Sequence, residues 1–250
     1  MARAATWQAT STAAGCASGL TPNASPGNSG GGGSIRSRPE PSEFKDVSGS
    51  ALLGVEWRIG KDRLSPSVGQ TWRWYGNAPY ARTATMAIDW LHPMGRLGQL
   101  LVHGGASRAD YRRNDLQDGA LYDLSVGIER AVTERSGFGL TLTGYRQTAR
   151  DPGYAIVSAG ASTVAWQDLG RVTLIATAGV HRLEGDARLF LFAQRRREWL
   201  LRATGAASFR QVTVSGFAPV ARLVLERNQS TVELYDYRRI AVEFGISRAF

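Results

Sequence analysis

The chain has 250 residues, 43% of them hydrophobic, and a formal net charge of +9, which suits one large domain with an added tail. No stretch approaches the roughly 18 consecutive apolar residues of a membrane-spanning helix, so a helical membrane protein is excluded. The mean hydropathy of -0.22 leaves a transmembrane β-barrel open, because polar residues facing its lumen offset the apolar residues facing lipid.

Residues 1–49 are predicted to form a disordered tail, because their Ala, Ser, Thr, Gly and Pro content, with a glycine run at 30–33, cannot bury a core. Residues 1–15 lack the apolar segment of a secretory signal. The single Cys16 has no partner for an intramolecular disulfide. A barrel in the outer membrane must be exported, so we expect that the true start of the gene product is not represented.

Short segments of alternating character fill residues 50–250. One segment shows the pattern plainly, with apolar residues at Tyr122, Leu124, Val126 and Ile128 and polar or small residues at Asp123, Ser125, Gly127 and Glu129. Such alternation between Gly, Asp, Pro and Asn turns is typical of β-strands, and residues 53–59 are predicted to form one such strand. The pattern predicts an all-β fold, an antiparallel transmembrane β-barrel of about twelve strands.

A bacterial outer membrane is the predicted location, for two reasons beyond alternation. Tryptophans gather near the ends of the predicted strands, where an interfacial girdle places amphipathic rings: Trp57, Trp72, Trp74, Trp90, Trp166 and Trp199. The polar faces carry charged residues in strand after strand, as a hydrated lumen allows. Outer-membrane lipid is therefore an expected partner.

The last strand carries the most specific pattern. Its apolar face and chain-end aromatic resemble the signal by which outer-membrane barrels are recognised for insertion, with Val242, Phe244, Gly245, Ile246 and Phe250 as its members. An unpaired edge strand can add to the sheet of another protein. The barrel assembly machinery is accordingly an expected partner.

The C-terminal stretch carries a second pattern, at Glu226, Arg227, Asn228, Ser230, Tyr235, Asp236, Tyr237, Arg238 and the closing residues 245–250. At these positions it resembles the surface lipoprotein assembly modifier family of Gram-negative outer-membrane barrels. The resemblance implies a protein that helps to translocate and display client surface lipoproteins, without covalent chemistry. It also implies a periplasmic domain of helical repeats and a barrel of about fourteen strands, an even number as in bacterial barrels generally. No helical repeat of about 34 residues is present, so we expect a partial family member.

An enzyme is not expected, and neither is a cofactor or metal. The three histidines, His92, His103 and His181, lack partners at metal-binding spacing. His92, beside Pro93, is interpreted as a turn residue. An alternative in which His103 meets acids of the barrel rim, namely Asp110, Asp115 and Asp151, lacks any supporting geometry in the sequence.

Two other functions, a passive channel and a nucleic-acid-binding domain, remain as alternatives. A porin-like passive channel needs only a wide lumen lined with charge, and the predicted polar faces suit it. A soluble basic β-domain that binds nucleic acid should show aromatics beside arginine on one exposed face. Here the aromatics share their face with aliphatic residues, so nucleic acid is not an expected partner.

Deleting Phe250, or replacing it with a charged residue, is expected to reduce insertion, because the change removes the terminal apolar contact of the proposed signal. The measurement is the amount of protein in the outer-membrane fraction when a full-length parent carries the change. Unchanged membrane levels would contradict the proposed signal.

Overall fold

The computed structural model describes residues 6–12, 46–212 and 217–248. They form thirteen β-strands: β1 (Thr6–Thr12), β2 (Asp46–Gly54), β3 (Trp57–Ile59), β4 (Asp62–Tyr75), β5 (Ala78–Met94), β6 (Gly98–Tyr111), β7 (Gly119–Thr133), β8 (Ser136–Gln147), β9 (Ile156–Asp168), β10 (Val172–Gly185), β11 (Arg197–Phe209), β12 (Phe217–Ser230) and β13 (Tyr237–Arg248). Short 3-10 turns lie at Asp115–Gln117, Pro152–Tyr154 and Glu233–Tyr235. No helix among these residues is long and apolar enough to cross a membrane.

All strands belong to one antiparallel sheet. Twelve of them follow one another in chain order, and the short β3 pairs with β4 beside this path. The predicted all-β fold with about twelve antiparallel strands is confirmed. Within the described ranges no ladder joins β13 to β1 or β2, so closure of the sheet into a barrel belongs to the proposal made below.

The N-terminal part of the sheet differs from two expectations. Strand β2 begins at Asp46, four residues before the predicted barrel boundary, and β1 pairs with it inside the segment predicted to be a disordered tail. Most of that tail, residues 13–45, lies outside the described residues. The strand predicted over 53–59 is interrupted, because β2 ends at Gly54 and β3 starts at Trp57, although both pair with β4 in the same register.

The sheet has an apolar face and a polar face, and the apolar face is the more exposed. On the apolar face Leu201 is 49% exposed and Leu225 42%, whereas on the polar face Glu198 is 5% exposed and Glu226 7%. The apolar face is the side of the sheet on which Leu225 and its cross-strand neighbours lie. The polar face is the opposite side, on which Glu226 and its cross-strand neighbours lie. Charged side chains pack together on the polar face, as Arg202 does with Glu226.

Buried apolar side chains are few. Those below one tenth exposure in the described part are Ala155, Ala218, Val224 and Val232. The large apolar side chains lie instead in cross-strand rows on the apolar face, such as Val102, Val126 and Leu142. A soluble β-sandwich buries such rows between two sheets, and this sheet does not.

Connection lengths differ between the two ends of the sheet. At the end where β13 finishes, the connections between paired strands are residues 60–61, 95–97, 134–135, 169–171 and 210–216. At the other end they are 76–77, 112–118, 148–155, 186–196 and 231–236. We call these the short-turn end and the long-loop end. The tight 76–77 connection has positive φ at both Gly76 and Asn77, as a type I′ hairpin turn requires.

The tryptophans predicted near strand ends lie there. Trp57 and Trp90 share the apolar face near the short-turn end, and Trp72 and Trp199 share it near the long-loop end. Trp166, also near a strand end, lies on the polar face with Val164. The apolar face is therefore bordered by aromatic rings at both ends.

Replacing Gly119 with Ala is expected to lower the free energy of unfolding by about 1–3 kcal/mol, the usual range for overpacking. A Cβ at Gly119 would overlap the carbonyl oxygen of Thr148. That residue cannot easily move away, because its backbone N–H donates to the carbonyl oxygen of Ala120 at 2.7 Å. Urea unfolding of the protein in lipid vesicles measures the loss.

The matched control is Gly205→Ala. This glycine also lies in a strand, but no atom lies within 4 Å of a Cβ built on it. A loss for Gly205→Ala as large as that for Gly119→Ala would show that the close approach at Gly119 does not cause the effect.

Candidate functional site

The residues that resemble the family motif divide between the two faces of the sheet. Their spacing of two along β12 and β13 places Glu226, Asn228 and Tyr237 on the polar face and Arg227 and Arg238 on the apolar face. Ser230 and Tyr235, at the adjoining loop, contact the polar-face group. The motif therefore contributes to two separate sites at the long-loop end.

The polar-face group centres on Glu198 of β11, which is 5% exposed. Its carboxylate accepts hydrogen bonds from Asn228 Nδ2 at 3.1 Å, Ser230 Oγ at 3.2 Å and Arg196 Nη2 at 3.0 Å. Asn228 Nδ2 also donates to the carbonyl oxygen of Tyr235 at 2.7 Å. A buried carboxylate needs such donors, because burial without partners costs several kcal/mol.

A second carboxylate extends the group. Glu226 Oε1 accepts from Arg202 Nη2 at 3.0 Å and from the Tyr237 hydroxyl at 3.1 Å. We call the eight side chains together the polar cluster: Arg196, Glu198, Arg202, Glu226, Asn228, Ser230, Tyr235 and Tyr237. In the described part of the chain, Arg202 Nε and Asn228 Oδ1 are buried without a protein partner, so the cluster keeps unused hydrogen-bonding capacity.

The polar cluster anchors the longest described connection, residues 186–196. The Arg196 guanidinium lies 3.9 Å from the centre of the Tyr235 ring, and Phe192 lies 6.4 Å from the same ring. Thr231 Oγ1 donates to the carbonyl oxygen of Arg195 at 2.7 Å. The loop is thus fixed at its base, while Phe190 at its tip is 97% exposed.

The other end of the same loop is held by an ion pair. Arg146 Nη1 donates to Asp186 Oδ1 at 2.6 Å, and this guanidinium lowers the pKa of the Asp186 carboxyl. The Asp186 N–H donates to the carbonyl oxygen of Ala155 at 2.9 Å. The loop is therefore tied to its neighbours on both sides.

A histidine lies between two carboxylates on the polar face, in the middle of β5, β6 and β7. His103 Nδ1 is 2.7 Å from Asp89 Oδ1, and Nε2 is 2.8 Å from Asp123 Oδ2. The carboxylates flank opposite sides of the ring, so they do not converge on one point. No group of three or more residues that could hold a metal ion occurs in the described part.

The His103 arrangement does not support nucleophilic catalysis. Ser125 is the cross-strand neighbour of His103, but both imidazole nitrogens already face carboxylates and neither is left to accept a hydroxyl proton. In the alternative grouping with the rim acids, Asp110 lies on the apolar face and His103 on the polar face, so that pairing is wrong. Asp115 pairs with Arg150, and Asp151 accepts from the backbone N–H of Gly153, whereas both His103 nitrogens lie against Asp89 and Asp123.

His92 does not lie in a turn, and that interpretation is wrong. It lies within β5, and its Nδ1 is 2.6 Å from Asp62 Oδ1. Asp62 also accepts from Trp90 Nε1 at 3.0 Å, so the pair is part of the apolar-face border at the short-turn end. His181 lies in β10 on the polar face, opposite Gly160.

The members of the proposed insertion signal lie on both faces of β13. Val242 is 59% exposed and Phe244 84% exposed on the apolar face. Gly245 lies on the polar face opposite Val220, and Ile246 pairs with Pro219 through the backbone. Phe250 lies outside the described residues, so the signal stays a prediction.

Sequence reasoning missed Arg196, Glu198 and Arg202, because Arg196 and Glu198 are near neighbours but the other partners of the three residues lie at least 24 residues away in the chain. Alternation alone indicates that Arg202 faces the side opposite Trp199, Leu201 and Ala203. Only the register between β11 and β12 shows which residues they meet.

A family model described as surface lipoprotein assembly modifier matches residues 38–250. The match covers the whole described sheet except β1. No curated protein matches the chain.

Replacing Glu198 with Gln is expected to lower the free energy of unfolding by about 1–3 kcal/mol, because buried donors lose a charged acceptor. The matched control is Glu243→Gln, whose exposed pair with Arg222 has an N–O distance of 3.8 Å and contributes less than about 1 kcal/mol. Urea unfolding in lipid vesicles compares the two. Equal effects would mean that the polar cluster does not anchor the long-loop end.

Proposed function

The chain belongs to the surface lipoprotein assembly modifier family, and we propose that it forms an outer-membrane β-barrel that helps to translocate lipoproteins and display them on the cell surface. The observation that carries the proposal is that the family model matches residues 38–250, which form a sheet with an exposed apolar face. The proposed partners are outer-membrane lipid, the barrel assembly machinery and client surface lipoproteins.

Membrane insertion is supported by where the apolar side chains lie. Lipid tails would cover the apolar face, and two aromatic borders would lie at the level of the headgroups. An open sheet edge is not tolerated in hydrocarbon, because its unpaired N–H and C=O groups would lack partners. We therefore propose that the sheet closes into a barrel in the membrane, with the polar face lining the lumen.

The two ends of the sheet support an orientation. Outer-membrane barrels have short turns on the periplasmic side and longer loops on the extracellular side. By this rule the short-turn end faces the periplasm. The polar cluster and the anchored 186–196 loop then lie at the cell surface, where a translocated lipoprotein would leave the barrel.

A porin-like passive channel is the second candidate, and the charged polar face favours it. The lumen-facing charges are largely paired with one another, as in His103 with Asp89 and Asp123 and in Arg202 with Glu226. Such pairing leaves a polar lining of low net charge, which suits either a conduit or a pore. The two functions differ in their need for a client.

Closure is tested by gel electrophoresis of the full chain refolded in detergent, with and without boiling. We expect the unboiled protein to migrate differently, because a closed barrel resists unfolding by the detergent of the gel. Identical migration in both samples, together with a β-rich circular dichroism spectrum in buffer alone, would overturn the barrel.

Lipoprotein display is tested in bacteria that express a lipoprotein with and without this chain or a full-length parent carrying its barrel. We expect externally added protease to degrade more of the lipoprotein when the barrel is present. Planar-bilayer conductance without a client is the companion measurement. Constitutive ion conductance with no change in display would favour the passive channel.

A further inference from the structure

Seven arginines line the apolar face at the long-loop end. Each lies on a different strand, near the terminus of that strand at the long-loop end. In chain order they are Arg82, Arg108, Arg146, Arg182, Arg197, Arg227 and Arg238. We call them the arginine belt. At the short-turn end, Arg130 lies on the same face.

Acidic residues offset only part of this charge. Asp110 and Glu184 share the face and the end with the belt, and Asp186 and Asp236 lie in the adjoining loops. Positive charge is therefore concentrated along one border of the apolar face. A border of this kind attracts anionic headgroups, each arginine contributing about 1 kcal/mol near a charged lipid surface.

Three members of the belt line one shallow cavity, open on one side, at β10, β11 and β12. Arg182, Arg197 and Arg227 line a space of about 370 Å³ together with Trp199 and Asp236. The Arg182 guanidinium lies 5.2 Å from the centre of the Trp199 ring. The cavity thus joins guanidinium groups to an aromatic ring at the border of the apolar face.

The charges at the cavity are unequal. Arg227 forms an ion pair with Asp236 and lowers the pKa of that carboxyl, and Glu184 pairs with both Arg182 and Arg195. Arg197 is exposed and is the cross-strand neighbour of Glu184, with no ion pair within 4 Å among the described residues. The lining itself holds three arginines and one carboxylate, and the adjoining Glu184 and Arg195 add one charge of each sign, so the net charge is positive.

We propose that this cavity binds the phosphate group of a lipid in the membrane leaflet at the long-loop end. The inference rests on the proposed membrane insertion. Guanidinium groups bind phosphate oxygens through paired, charge-assisted hydrogen bonds, and Trp199 contacts the lipid where its headgroup meets the acyl chains. A lipid is favoured over free phosphate because the cavity adjoins the exposed apolar face, which would contact the acyl chains.

Native mass spectrometry of the full chain in a neutral detergent tests this site. The probes are lipid A with two phosphates, lipid A with one phosphate, and phosphatidylcholine as the zwitterionic control. We expect the affinity to fall in that order and to weaken with added salt. Gel electrophoresis before and after boiling is run on every sample, so a failure of the barrel is recognised separately from a failure of the site.

Arg197→Gln is expected to reduce the affinity for lipid A about fivefold, and Arg182→Gln with Arg197→Gln about thirtyfold. Arg171→Gln is the matched control, because it removes the same charge from a turn at the short-turn end. Equal binding by all variants, or equal binding of lipid A and phosphatidylcholine by a closed barrel, would overturn the proposal. Displacement of lipid A by millimolar inorganic phosphate would overturn the choice of a lipid.

Discussion

Apolar side chains lie on an exposed face of this sheet rather than in a core, and the other features of the structure depend on that placement. In water, each large apolar side chain left exposed forgoes the stabilisation of about 1.5–3 kcal/mol that its burial would give. An apolar solvent would remove that cost, and the same solvent would make any unpaired backbone group expensive. The packed side of the sheet is the polar face. There, carboxylates such as Glu198 and Glu226 are buried and hydrogen-bonded.

Alternation predicted much of this arrangement, because side-chain direction in a strand depends only on whether positions are odd or even. It indicated the two faces of β7 and β13, the tryptophans near strand ends and the all-β fold. It failed where the backbone departs from a continuous strand, as between Gly54 and Trp57, and where a proline suggested a turn, as at His92. A proline in a strand is compatible with that strand at specific positions, which local sequence does not reveal.

The candidate sites were harder to predict, because each joins residues that are distant in the chain. His103 meets Asp89 and Asp123 across three strands, and Glu198 meets Asn228 across two. Alternation indicates the face on which each residue lies, but register decides its partner. The motif resemblance found Glu226, Arg227 and Asn228 as one run, and the sheet separates them into a polar cluster and an arginine belt.

Strand order in this sheet follows chain order from β1 to β13, apart from the short β3. Each long strand therefore pairs only with the strands just before and after it, and almost every contact is made within a hairpin or between adjacent hairpins. A sheet of this kind can gain or lose a hairpin without rethreading the rest, because the remaining pairs keep their register. Sheets with different numbers of strands can then share the same local motif at one end of the chain, so the width of the sheet can change in evolution without a change in the polar cluster.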